Sequence, residues 1–191
     1  NLWIVDADGS NPIAVSEPFE APTGAVVPSY LAWSPDSSRV LFWAPGLDVV
    51  DNGRGCRNQG TFCGQRIWSA PSDGSEPAQV IGDPELDARS PLWTPNGETI
   101  IFTGSEGNGG LYGLYRMDAD GANVERVGDL TGSAFAFDRH AVSPDGTTVA
   151  VVSGRRLSHV QKLVPVPGIL LAGTYGIELQ TPEGERIDRL K

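Results

Sequence analysis

Trp93-Thr94-Pro95-Asn96-Gly97, followed closely by Ile100-Ile101-Phe102, is the stretch that decides the fold, because the chain repeats it. Trp33-Ser34-Pro35-Asp36 leads into Val40-Leu41-Phe42-Trp43, and Val142-Ser143-Pro144-Asp145-Gly146 leads into Val149-Ala150-Val151-Val152. A proline at the second position of a β-turn presets φ, and the Asp or Asn with Gly after it suits bridge or left-handed backbone. The β-branched and aromatic runs that follow have strand length and are too short for helices. Each copy therefore reads as strand, tight turn, strand.

A second phrase interleaves with the first. Leu2-Trp3-Ile4-Val5-Asp6-Ala7-Asp8-Gly9 returns as Ile67-Trp68-Ser69-Ala70-Pro71-Ser72-Asp73-Gly74 and as Leu114-Tyr115-Arg116-Met117-Asp118-Ala119-Asp120-Gly121. A looser copy is Ile177-Glu178-Leu179-Gln180-Thr181-Pro182-Glu183-Gly184. This phrase too is strand, turn, strand. With the strands named A to D, A and B flank the proline turn and C and D flank the Gly turn. Complete units then run over 30–81, 90–128 and 139–190, and a half unit, C and D alone, over 1–15. No long window carries helical periodicity, so the expected class is all-β.

Four-stranded units of about 40 to 50 residues in series are the mark of propeller blades. The two phrases resemble the TolB-type propeller repeat, a relative of WD repeats also found in the propellers of tricorn-like and prolyl-oligopeptidase-type peptidases. The resemblance covers nearly the whole chain outside two insertions, at 45–65 and 154–173. It implies a β-propeller of four-stranded antiparallel blades, about three and a half of them in this chain. Such propellers serve as docking platforms, as gating domains of enzymes and as surface proteins, so fold does not settle function.

Three and a half blades leave a sheet edge and an apolar face to be covered. The chain reads as an excerpt of a six- to eight-bladed ring, as a subunit completed by other copies or a partner, or as a small ring closed by one of its insertions. The backbone of Leu2 to Asp6 is expected to pair with a strand from outside residues 1–191. Trp33, Trp93 and Val142 are expected to be equivalent, buried strand-A residues.

In an up-and-down meander the A–B and C–D turns share one face, and the B–C and D–A connections share the other. The first set is tight and the second long, so a binding surface is expected on the long-loop face. The insertion at 45–65 holds the chain's two cysteines, Cys56 and Cys63. Their spacing does not match a zinc knuckle and no His lies nearby, so a disulfide is expected. That bond implies an oxidising, extracytoplasmic setting: periplasm, cell surface or medium. The insertion at 154–173 starts basic (Arg155, Arg156, His159, Lys162) and ends apolar. It reads as a partner-docking arm, as a strand that pairs with an open edge, or as an ordered loop over the blade tops. The candidate interaction residues are Leu2, Trp3 and Ile4 at the open edge and Val164, Val166, Ile169, Leu170 and Leu171 on the arm.

The 191 residues carry a net charge of −10, which disfavours nucleic acid and anionic membrane surfaces. No stretch reaches the roughly 20 apolar residues of a membrane span. The chain starts at Asn1 inside a repeat, which reads as a processed product or a fragment. Neither Gly104-Ser105-Glu106-Gly107 nor Gly132-Ser133-Ala134-Phe135 matches a nucleophile elbow. The Asp6-x-Asp8-Gly9 and Asp118-x-Asp120-Gly121 turns lack the further ligands of a calcium loop, and His140 reads as structural. No catalytic residue, cofactor or metal is expected. The function expected is a non-catalytic extracytoplasmic module for protein interaction or assembly, its partner another copy or the rest of a larger propeller. The alternatives are the propeller of a prolyl-oligopeptidase- or tricorn-like peptidase and a subunit of a fibre built by strand addition.

Overall fold

The proline and glycine turns organise the molecule, a computed structural model that describes residues 2–16, 29–45, 64–106, 111–130, 140–146, 148–152, 155–163, 169–173 and 178–188. In the A–B turns the N–H of Ser37, Gly97 and Gly146 donates to the carbonyl of Ser34, Thr94 and Ser143, at 2.9, 2.9 and 2.8 Å. All three residues have positive φ, 61°, 73° and 73°. The hydroxyls of Ser34, Thr94 and Ser143 donate to Asp36, Asn96 and Asp145, closing the turns from the side-chain level. The C–D turns repeat equally well: Gly9, Gly74, Gly121 and Gly184 donate to Asp6, Pro71, Asp118 and Thr181. The fourth, loosest copy of the second phrase is thus a true copy in geometry.

These turns fold the chain into four successive sheets, the first three of them antiparallel meanders. The first sheet is β1 (Trp3–Ile4) with β2 (Ile13–Ala14). The second has the order β3 (Ser29–Trp33), β4 (Arg39–Pro45), β5 (Gln65–Pro71), β6 (Gln79–Ile81). The third is β7 (Leu86–Trp93), β8 (Thr99–Glu106), β9 (Tyr112–Asp118), β10 (Glu125–Asp129). In the edge strands β3 and β7 the register slips at Tyr30 and Ser90. Both residues have left-handed backbone, φ 60° and 52°, a bulge kept at one repeat position.

Alternation along the strands sends side chains to the sheets before and after, so each core lies between two sheets. Leu2, Ile4, Ile13 and Val15 meet Val40, Phe42, Trp68 and Ala70 between the first and second. Leu41 and Ile67 meet Leu86, Ile100, Phe102, Tyr115 and Met117 between the second and third. Phe42 stacks on Trp68 (centroids 6.2 Å apart) and Phe102 on Tyr115 (5.5 Å), the same pair in two blades.

The last sheet departs from the four-stranded expectation. It contains β11 (His140–Val142), β12 (Val149–Val152), β13 (Ile169–Gly173), β14 (Glu178–Gln180) and β15 (Arg186–Asp188), in that order. Strand β13 comes from the 154–173 insertion and lies between B and C, parallel to β12. A parallel neighbour needs a crossover, and α1 (Leu157–Leu163) supplies it. Leu157 and Val160, three apart on one helix face, are buried with Ile101, Leu114, Leu130, Ile169 and Leu171. Glu178 accepts the Leu157 N–H at 2.9 Å, holding the start of the helix to β14. The insertion is a strand and its connecting helix, built into the core of its own blade. The docking-arm expectation is corrected accordingly: Ile169 and Leu171 are buried inside the chain and Leu170 is half-buried on the sheet's other face.

Candidate functional site

Trp33, Trp93 and Val142 sit at one repeat position, opposite Val40, Ile100 and Val149 on the neighbouring strand. Their burial is not equal. Trp93 is half-buried against the core that Leu41 enters from the sheet before it, with β7 lying against both β3 and β4, and Val142 is half-buried against the core between the third and last sheets. Trp33 is 50% exposed, against the expectation of burial. The sheet before it, β1–β2, has strands C and D alone among the described residues, so nothing of strand A or B lies over the indole.

Strand β1 repeats the pattern. Trp3 corresponds to Trp68 and Tyr115, yet it is 54% exposed where they are 6% and 3%. Val5, the counterpart of buried Ala70 and Met117, is exposed as well. Leu2 and Ile4, facing the second sheet, are half-buried in its core. The main chain follows suit. Val15 donates to the Leu2 carbonyl at 3.0 Å and Leu2 donates to Ser16 Oγ at 2.7 Å, so the Leu2 peptide faces β2. Antiparallel alternation then turns the peptide groups of Trp3 and Val5 to the other side. Among the described residues no strand lies there. Trp3, Val5, Tyr30, Leu31 and Trp33, exposed large apolar residues on β1, its continuation and β3, make up most of that kind on the described surface.

Two other places merit chemical reading. A cleft of about 560 Å³ opens between the second and third sheets on the tight-turn face, lined by Arg39, Ser69, Asp36, Asn96, Asp120 and Trp93 among others. Arg39 Nε donates to Ser69 Oγ at 2.8 Å. Asp36 accepts from Ser34 and Ser38, which hold its carboxyl down to about 2. The Asp36 bonds keep the A–B turn closed, and the Arg39–Ser69 bond ties β4 to β5.

The second place is a polar staple at the opposite end of the same two sheets. Asp87 on β7 accepts the Gln65 N–H (2.9 Å), the Tyr112 hydroxyl (2.8 Å) and the Arg89 guanidinium (2.9 Å). Arg89 lies 5.7 Å from the ring centres of both Trp43 and Tyr112. Burial, with the Asp87 charge adding to it, pushes the Tyr112 phenol up to about 12. Sequence reasoning passed over this group because Asp87 and Arg89 match no motif. Its partners come from β5, β7 and β9, and its role is to tie two sheets together.

Of the residues singled out from sequence, the structure places Trp3 and Ile4 on β1 and Leu2 just before it, with Trp3 outward. Cys56, Cys63, Val164 and Val166 lie outside the described residues, as does most of the long-loop face. Among the described residues no helix is long and apolar enough to cross a membrane.

No protein-family model matches the chain. Trehalose-phosphate phosphatase of Mycobacterium avium (strain 104) is 35% identical over 96 residues, 47% of this chain and 24% of that protein. The protein of the same name from Mycolicibacterium paratuberculosis (strain ATCC BAA-968 / K-10) is 34% identical over the same length. The chain spans about a quarter of the length of these curated relatives. Among solved structures, a TolB-type protein of Agrobacterium tumefaciens aligns with TM-score 0.50 and 23% identity, over 75% of this chain and 46% of that one. TolB from Acinetobacter baumannii aligns with TM-score 0.43 and 15% identity, over 98% and 61%. Sheets, turns and stacked aromatic pairs together define a β-propeller. The chain is a TolB-like partial propeller in fold.

Proposed function

We propose that this segment is a non-catalytic propeller module for protein interaction or assembly outside the cytoplasm, working through the uncovered edge of its first sheet. The observation that carries the reading is the exposure of Trp3 and Val5 beside a free strand edge, at positions that are buried in the next two blades. Contiguous apolar surface beside unpaired peptide groups is what strand addition uses. The extracytoplasmic part of the reading rests on a Cys56–Cys63 disulfide, itself a proposal. A phosphatase activity is not carried over, since the match reaches only 24% of the enzyme so named.

A photo-crosslinking amino acid at position 3 of the native protein, in its own cells, tests the interaction. Cross-linking to protein material outside residues 1–191 is expected, with none from the same probe at exposed Asp8. Equal, solvent-like behaviour at the two positions overturns the reading. The compartment is tested separately by intact mass after alkylation with and without reductant: two free thiols at Cys56 and Cys63 remove the extracytoplasmic argument.

A further inference from the structure

Resting on that reading of the β1 edge, we infer what occupies it: a two-stranded A–B unit of this same repeat, supplied from outside residues 1–191, with an aromatic residue of its strand B stacked on Trp3. Three features of the complete blades specify the occupant independently.

The first is the stack. Phe42 lies opposite Trp68 in the β4–β5 ladder and Phe102 opposite Tyr115 in the β8–β9 ladder. In both blades the aromatic of strand B covers the aromatic of strand C. Two residues back along strand B, Val40 lies opposite Ala70 and Ile100 opposite Met117. The corresponding strand-C residues of the first sheet are Trp3 and Val5, both exposed. The occupant therefore presents an apolar residue to Val5 and, two residues on, an aromatic to Trp3.

The second is the turn. The N–H of Ser72 donates to the Ser38 carbonyl at 2.8 Å, and the N–H of Ala119 to the Glu98 carbonyl at 3.0 Å. Each bond joins the C–D turn of a blade to its own A–B turn. The same position in the first sheet is Ala7, whose N–H makes no hydrogen bond among the described residues. A strand laid on the edge reaches Ala7 only if it runs on to the position that Ser38 and Glu98 hold at the end of the A–B turn; a strand pair joined by that turn brings a carbonyl there.

The third is Trp33. Its counterpart Trp93 packs against the core that Leu41 of strand B enters from the preceding sheet, and its strand β7 lies against both β3 and β4 there. Covering Trp33 therefore takes strand A as well as strand B.

A second copy of this chain is a poor donor, since its A–B pairs, β3–β4, β7–β8 and β11–β12, are already inside sheets. The edges it could offer among the described residues, its own β1 or the outer strand β15 for example, are single strands with no free A–B partner. The sequence of the occupant is thus constrained. Phe42 and Phe102 come seven residues after Pro35 and Pro95. The residue stacked on Trp3 should likewise be aromatic and lie seven residues after the proline of a Ser/Thr-Pro-Asp/Asn turn.

The test maps the cross-link from position 3 of the native full-length protein by mass spectrometry, and measures hydrogen exchange of Trp3, Val5 and Ala7 in the same preparation. The expected result is one cross-linked segment outside residues 1–191 with that proline-to-aromatic spacing. All three amides should then exchange at least about a hundredfold more slowly than those of the exposed Asp8–Ser10 turn. A cross-link to β1 of a second copy, or to a segment without the spacing, overturns the inference and leaves the interaction reading standing. Protection of Trp3 and Val5 with fast exchange at Ala7 also overturns it, because a lone strand has then been added. No cross-link with fast exchange at all three overturns both.

Discussion

Trp3 and Trp68 are the same residue in the same phrase of the same repeat, followed three residues later by turns of one geometry. One is 54% exposed and the other 6%. Local sequence is therefore not what buries a side chain here. Trp68 is covered by Phe42 from strand B of its blade and by the sheet before it; Trp3 has neither among the described residues. In a repeat protein each unit buries its apolar faces only against neighbours, so two identical phrases acquire different energetics from position alone.

The comparison can be broken by paired truncations in residues 1–191. Trp68→Ala removes a stacked, enclosed indole and should cost about 3–5 kcal/mol in urea unfolding. Trp3→Ala should cost less than about 1 kcal/mol, the range of an exposed position. Similar losses at the two sites would mean that Trp3 is covered within the chain, and the open-edge argument would fail with it. In the native protein the inferred occupant should move the Trp3→Ala cost toward that of Trp68→Ala, which sharpens the comparison.

How much of this was legible in the sequence follows the same division. The turns were, because Pro35, Pro95 and Pro144 and the four C–D glycines act within a few residues of themselves, and all seven turns close as their chemistry requires. The unequal burial of Trp33 and Trp93 was not, because it depends on strands tens of residues away or outside the chain. The Asp87–Arg89–Tyr112 staple was invisible for the same reason. The role of the 154–173 insertion was not legible either, for a local reason. A seven-residue helix with Leu157 and Val160 as its buried face is too short to register as periodicity, and Ile169-Leu170-Leu171 looks the same as a docking segment or as a core strand. A regular blade and this five-stranded one share every turn, so the phrases alone could not tell them apart.

That second contrast, between the regular blades and the last, gives a medium-sized test at Gly173. A Cβ there would lie 2.4 Å from the Leu157 nitrogen and 2.6 Å from its Cα, both backbone atoms of the helix start. Backbone cannot swing aside as a side chain can, so Gly173→Ala should cost about 1–3 kcal/mol, the usual range for overpacking. Hydrogen exchange should show the loss concentrated in α1 and β13 and spare β7–β10. A neutral substitution would mean that the helix does not sit against β13 and that the last blade is not built around its insertion.

The smallest expected effect separates the three A–B turns. Gly97 and Gly146 occupy the left-handed position of their turns, whereas the first blade places Ser37 there with φ 61°. An L-residue in that conformation costs about 1 kcal/mol, and glycine returns part of the gain through the freedom of the unfolded chain, roughly 0.4–1 kcal/mol. Ser37→Gly should therefore stabilise the protein by no more than about 0.5 kcal/mol. The reciprocal change, Gly97→Ser, should destabilise it by a similar amount, since a Cβ at Gly97 meets nothing nearer than Pro35 Cδ at 3.7 Å and only the backbone term remains. The opposite signs are the informative part, because they cancel any general effect of changing a turn residue. If Ser37→Gly destabilises, the serine is held by more than turn geometry. The first A–B turn would then differ from the other two in kind, and it could no longer stand for the turn inferred to close over Ala7.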